Sequence, residues 1–148
     1  HYDLGAWRDP GPTRRDVTSD RTVYVTLDQW IYLAAEVLGA DAATIRRTAN
    51  LNLIDSALHA PAAGFGEQDL YPDLITQAAV LCWHLVNNHG LTDGNKRCAF
   101  VTTVVFLRRN NVEWIAPGTD DAVRTMVAVA AKQLDITGLA GWIRNHTT

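Results

Sequence analysis

The chain has 148 residues, of which 47% are hydrophobic and 20% charged, and a formal net charge of −3. That length fits one domain with a sizeable core, roughly two thirds of the extended surface being removed on folding. An isoelectric point near 5.9, with Lys and Arg in scattered pairs (Arg14–Arg15, Arg46–Arg47, Arg108–Arg109), argues against direct nucleic-acid binding, and no apolar run approaches transmembrane length.

Residues 1–21 read as a polar N-terminal tail, because Asp9-Pro-Gly-Pro12 and Arg14-Arg15-Asp16 are turn and charge signals without periodicity. Such a segment is expected to be disordered in isolation unless Tyr2, Leu4 and Trp7 anchor it on the domain or on a neighbouring chain. The remaining residues, 22–148, read as one helical domain. Val23-Tyr-Val25 is a short extended lead, and Thr26-Leu-Asp-Gln29 has capping-box spacing ahead of a helix from Leu27 to Leu38, stopped at Gly39. Leu51, Ile54, Ala57 and Leu58 mark a second helix that ends before Pro61, and 60–71 is a loop rich in Gly, Pro and Ala. Pro72 suits the first turn of a third helix with its apolar stripe at Ile75, Ala78, Ala79, Cys82, Leu85 and Val86. A fourth helix, 95–109, is apolar nearly all round from Cys98 to Leu107, which predicts a central buried helix. Val112 to Ile115 is an extended connection; Thr119-Asp-Asp opens a fifth helix running to about Lys132. Thr137 is the expected cap of a sixth, with Leu139, Trp142 and Ile143 on its buried face. The prediction is an all-α, single-domain bundle of about six helices. Cys82 and Cys98 lack metal spacing and sit in apolar context, as small core residues do in a reducing cytoplasm. No signal-peptide pattern is seen at the start, so the expected location is cytoplasmic.

One stretch concentrates chemistry. His89-Gly-Leu-Thr-Asp-Gly-Asn-Lys-Arg97 joins the third helix to the fourth. A helix start leaves N–H groups unpaired and carries partial positive charge, which together make an anion site. Gly94 lets backbone approach a phosphate closely and can hold positive φ. Lys96 and Arg97 add two cations at that end, suited to the negative charge of phosphoryl transfer. Asp93 is a natural ligand for a Mg²⁺ ion bridging phosphates, and an imidazole, here His89, is the usual general base for a hydroxyl.

Each residue also has a plainer reading. Asp93 can serve as an N-cap and His89 as a helix C-cap residue; Lys96 and Arg97 can be solvated first-turn side chains. Yet cations there oppose the helix dipole by about 0.3–1 kcal/mol each, a placement that an anion would explain. A P-loop is excluded by spacing: Gly90 and Gly94 are separated by three residues instead of four, and no Ser or Thr follows Lys96. His59 and His84 do not pair with carboxylates at metal-ligand spacing.

The nine residues resemble the signature of Fic/Doc proteins. The general Fic pattern is H-P-F-x-[DE]-G-N-G-R, and the Doc ("death on curing") branch has H-x-[apolar]-x-[DE]-x-N-K-R, met here at every fixed position. Phe106-Leu-Arg-Arg-Asn110 and the last helix, 135–143, also look Doc-like, so the resemblance spans about 23–145 and leaves the tail unmatched. It implies a toxin that transfers the terminal phosphoryl group of ATP to a threonine of elongation factor Tu, blocking translation, and that a Phd-like antitoxin neutralises. His89 would take the threonine proton, Asp93 would hold Mg²⁺, and Asn95 with adjacent amides would form the anion hole. Gly94, Asn95, Lys96 and Arg97 would bind the nucleotide. Lys96 stands where Fic enzymes have Gly, filling the space of the outer phosphates and so turning the γ-phosphate toward the histidine. Gly90 and Leu91 replace the Fic Pro-Phe pair, and Asn87-Asn88 replaces an Arg-Gly, losing a possible phosphate contact. Phe65 and Gly66 lie where the family carries a target-binding flap; an ordinary connector is the plainer reading. The alternatives are a Fic-type AMP transferase, or a catalytically silent nucleotide-binding partner in a toxin–antitoxin regulatory complex.

Overall fold

The computed structural model describes residues 21–65, 68–71 and 73–147. Among them are seven α-helices: α1 Leu27–Leu38, α2 Ala42–Thr48, α3 Leu51–His59, α4 Leu74–Asn87, α5 Asn95–Arg109, α6 Thr119–Ala130 and α7 Ile136–Asn145. The expected tail lies almost wholly outside the described residues, as do Gly66 and Pro72.

Local chemistry accounts for most boundaries. Thr26 and Gln29 form the anticipated capping box, and Gly39 closes α1 in the left-handed region at φ 67°. α3 ends where expected, continuing into one 3-10 turn at Ala60–Ala62. Two expectations need correction. α2 is an additional helix, begun by Asp41, whose carboxylate accepts from Thr44 N–H at 2.8 Å. Its seven residues bury only Ile45, so hydrophobic periodicity could not reveal it. The cap of the last helix is Asp135, which accepts from Gly138 N–H at 2.8 Å; Thr137 falls inside the first turn. A carboxylate already satisfies that N–H, so the threonine is exposed.

α5 is the axis of the molecule. Every residue from Cys98 to Leu107 is buried, wrapped chiefly by α4 with α1 and α6 alongside, while α7 packs on α4. Its two buried hydroxyls are satisfied within the helix, Thr102 donating to Cys98 O and Thr103 to Ala99 O. The buried Arg109 donates to the Gln29 side chain, joining the end of α5 to the α1 capping box. Asn110 closes α5 and holds the extended lead, accepting from Val23 N–H at 2.8 Å and donating to Val23 O at 2.9 Å. The connection before α6 bridges antiparallel to the chain's end, Trp114 opposite Thr147. Trp142 is half-buried while Leu139 and Ile143 are fully buried, so the α7 stripe is largely as read.

The 60–71 loop is not structureless. Gly64–Phe65 pairs antiparallel with Gln68–Asp69, and Leu70 N–H donates to Ala63 O at 2.9 Å. Four residues of strand are marginal alone. The hairpin base is therefore tied down, Tyr71 O accepting from the buried Gln77 at 2.6 Å.

Candidate active site at the start of the central helix

α4 and α5 are consecutive, so the short loop between them brings the end of one to the start of the other. Asn88 closes α4, and His89 follows in the left-handed region at φ 54° with its side chain exposed. Left-handed backbone is uncommon outside glycine, though histidine is among the residues that tolerate it best. Gly90 then turns inward and is buried, and Leu91 is only 8% exposed. Leu91 is thus the apolar anchor of the loop. Asp93 and Lys96 are exposed, while Gly94, Asn95 and Arg97 are half-buried.

α5 begins unlike its neighbours. Thr26, Asp41, Asn50, Asp73 and Asp135 each cap a helix with a side chain, whereas α5 and α6 start on glycines without one. α6 compensates with Asp120 and Asp121 in its first turn; α5 has no acid there and carries Lys96 and Arg97. Its unpaired N–H groups, dipole and cations therefore reinforce one another. Gly94 is the N-cap, at φ 90°. Asp93 is one residue too early for that role and accepts instead from Gly94 N–H at 2.9 Å. A Cβ on Gly94 would lie 2.5 Å from Leu38 Cδ2, so Leu38 would have to shift, and the positive φ strains any other residue there.

Asn95 does something the sequence did not specify. Its Oδ1 accepts from Leu91 N–H at 3.0 Å and its Nδ2 donates to Leu91 O at 2.8 Å. The amide thus clamps both backbone groups of the loop's apolar anchor, leaving backbone N–H groups and the two cations as the donors nearest an incoming anion. Asn87, whose match to the resemblance was poor, donates to Trp83 O and Val129 O, tying α4 to α6. Asn88 donates to Leu53 O on α3 at 3.1 Å. The role of these two asparagines is architectural.

The other candidate groups stay apart from the loop. His59 is exposed on α3, its Nδ1 against Asp55 O, and His84 stacks edge-on with Trp83. Cys98 is adjacent to Arg97 in sequence, but burial pushes its thiol up to about 12, outweighing the nearby cation. A buried thiol of that kind is a poor nucleophile. Among the described residues no cluster of three His, Cys, Asp or Glu side chains forms a metal cage. A single exposed carboxylate, Asp93, next to an anion site matches a different donor set: Mg²⁺ commonly takes one or two protein carboxylates and completes its shell with water and substrate phosphates. The residues present fit that arrangement. Phe65 lies in the hairpin, paired through its backbone with Gln68.

An exposed, left-handed histidine is joined by a short anchored loop to a cationic helix start that no side chain caps, an arrangement suited to group transfer from a nucleotide phosphate. The model of the Fic/DOC family matches residues 3–107, and the chain belongs to that family, a family of transferases. The matched range begins inside the segment that the sequence reading set apart as a tail. The chain is also similar to Toxin Doc of Mycolicibacterium smegmatis (strain ATCC 700084 / mc(2)155), at 38% identity over 89 residues, covering 60% of this chain and 68% of that protein. The all-α architecture agrees with the family. No helix among the described residues is long and apolar enough to cross a membrane.

Proposed function

We propose that the protein is a Doc-type toxin that transfers the terminal phosphoryl group of ATP to a threonine hydroxyl of a translation factor, elongation factor Tu. The observation that carries this reading is the start of α5, uncapped by any side chain, held at Gly94 and cationic at Lys96 and Arg97. The phosphates of ATP sit against the first-turn N–H groups and these two side chains. Lys96 takes the room that an outer pair of phosphates would need in the opposite pose, so the γ-phosphorus faces His89. His89 accepts the hydroxyl proton as the threonine oxygen bonds to that phosphorus and the bond to ADP breaks. Asp93 would hold Mg²⁺, which when bound supplies charge neutralisation across the phosphates. Phe65, in the tethered hairpin, and Gly66, from the sequence resemblance alone, would receive a target segment by strand addition. Translation factors act in the cytoplasm, and a Phd-like antitoxin would neutralise the protein there.

The test is mass spectrometry of elongation factor Tu after incubation with the protein, Mg²⁺ and ATP. A phosphoryl adduct on threonine is the expected result. An adenylyl adduct would replace this reading with AMP transfer, and an unmodified factor with a fully folded protein would remove the target.

A further inference from the structure

Both glycines of the loop are notches filled from other helices. Leu38 of α1 fills the one at Gly94. At Gly90 an ideal Cβ would overlap Ile54 Cδ1 of α3 and lie 2.7 Å from its Cγ1. Ile54 is itself 1% exposed, so it has no outward rotamer to retreat to in a close-packed core. Two hydrogen bonds reinforce this contact. Gly90 O accepts from Asn50 N–H at 2.8 Å, and Asn88 donates to Leu53 O at 3.1 Å. Asn50 is also the N-cap of α3, its Oδ1 accepting from Leu53 N–H. Residues 88 and 90 are therefore both moored to the first turn of one helix, and His89 lies between the moorings. A left-handed non-glycine residue persists where its surroundings over-determine the backbone. Here the surroundings are α3.

We propose that Ile54 is a positioning residue for His89, acting through the side-chain-free Gly90 to set how closely the loop approaches α3 and hence where the imidazole stands. The proposal rests on His89 being the base. Neither Ile54 nor Asn50 belongs to the nine-residue signature.

The experiment is a double-mutant cycle on the full chain: Gly90→Ala, Ile54→Ala, and the pair, the second change removing both Ile54 atoms that the new Cβ would meet. Three quantities are read: the His89 imidazole signals in ¹H–¹⁵N NMR, the transfer rate at saturating ATP and target, and KM for ATP. Gly90→Ala is expected to move the His89 signals and lower the rate by about 10²-fold, the scale of a misplacement near 1 Å. KM for ATP should hold, because the phosphate end of the loop packs separately, Gly94 lying beside Leu38 of α1. The double variant should return the His89 signals toward wild type and recover at least about tenfold of the lost rate, a coupling that independent sites do not show. Additive effects, or unmoved His89 signals in Gly90→Ala, would overturn the proposal. Should Gly90→Ala not fold, Ile54→Ala carries the test: the emptied notch should broaden or shift the His89 signals at constant KM for ATP, and unchanged signals refute the idea. A wild-type protein without transfer activity would instead remove the proposed function, while the NMR arm still decides whether α3 positions His89.

Discussion

Replacing Asn95 by Ala separates a clamp from a phosphate ligand. The wild-type side chain makes two part-buried hydrogen bonds, to Leu91 N–H at 3.0 Å and to Leu91 O at 2.8 Å. A typical internal hydrogen bond contributes about 1 kcal/mol net, and stranding a buried partner costs about 1–3 kcal/mol. Partial exposure lets water replace some of the loss, and Ala is the better helix former by about 0.5 kcal/mol. A destabilisation of about 2 kcal/mol remains, which for a chain of this size lowers Tm by about 4–8 °C. Because Leu91 anchors the loop, the transfer rate should fall with it by about 10²-fold, whereas ATP affinity should change little. Asn95→Asp makes the complementary test. It keeps the acceptor for Leu91 N–H but sets a carboxylate oxygen against Leu91 O where Nδ2 donated, so stability should also fall, the added negative charge at a helix start offsetting only part of the loss. The same charge opposes phosphate, so ATP affinity should drop. Thermal unfolding and calorimetric ATP titration measure both quantities. An Asn95→Ala protein with unchanged Tm and lost ATP affinity would refute the clamp.

Other outcomes follow from the same geometry. His89→Ala should abolish transfer and growth inhibition while costing about 1 kcal/mol of stability, since the side chain is exposed and only the left-handed backbone disfavours Ala; full toxicity of the folded variant would refute the assignment. Wild-type protein given α-labelled ATP should leave its target unlabelled, and Lys96→Gly should lower phosphoryl transfer by removing a cation and opening space. Burial raises both Cys82 and Cys98 to about 12. An unfolded thiol ionises first, so the thiols favour the fold fully at neutral pH, and stability should fall as pH rises above about 9; a flat alkaline profile would contradict this. For Asp73, burial works against ionisation, but the Thr76 hydroxyl and amide and Arg144 outweigh it and hold the carboxyl below its ordinary value. A lowered value means stability present at neutral pH and lost as the group protonates in acid. Asp73→Ala, which also removes the α4 cap, should cost about 1 kcal/mol and flatten the acid limb of the stability profile.

What the sequence determined by itself was local and periodic. The stripe from Ile75 to Val86, the unbroken apolar run of α5, the Thr26–Gln29 box and Gly39 each declare an element through spacing of a few residues, which short-range sterics and hydrogen bonding decide. The nine-residue loop was legible for the same reason, its charges being adjacent in the chain. α2 was not, because a two-turn helix burying one side chain has no period to read. Nor could the sequence show that Asn95 spends its amide on Leu91, that a Cβ on Gly94 would meet Leu38, or that one on Gly90 would meet Ile54. Those contacts join residues 4, 56 and 36 positions apart through packing. Tertiary structure alone decided them, because whether a Cβ fits depends on which helix the fold lays against it, and no local propensity encodes that neighbour.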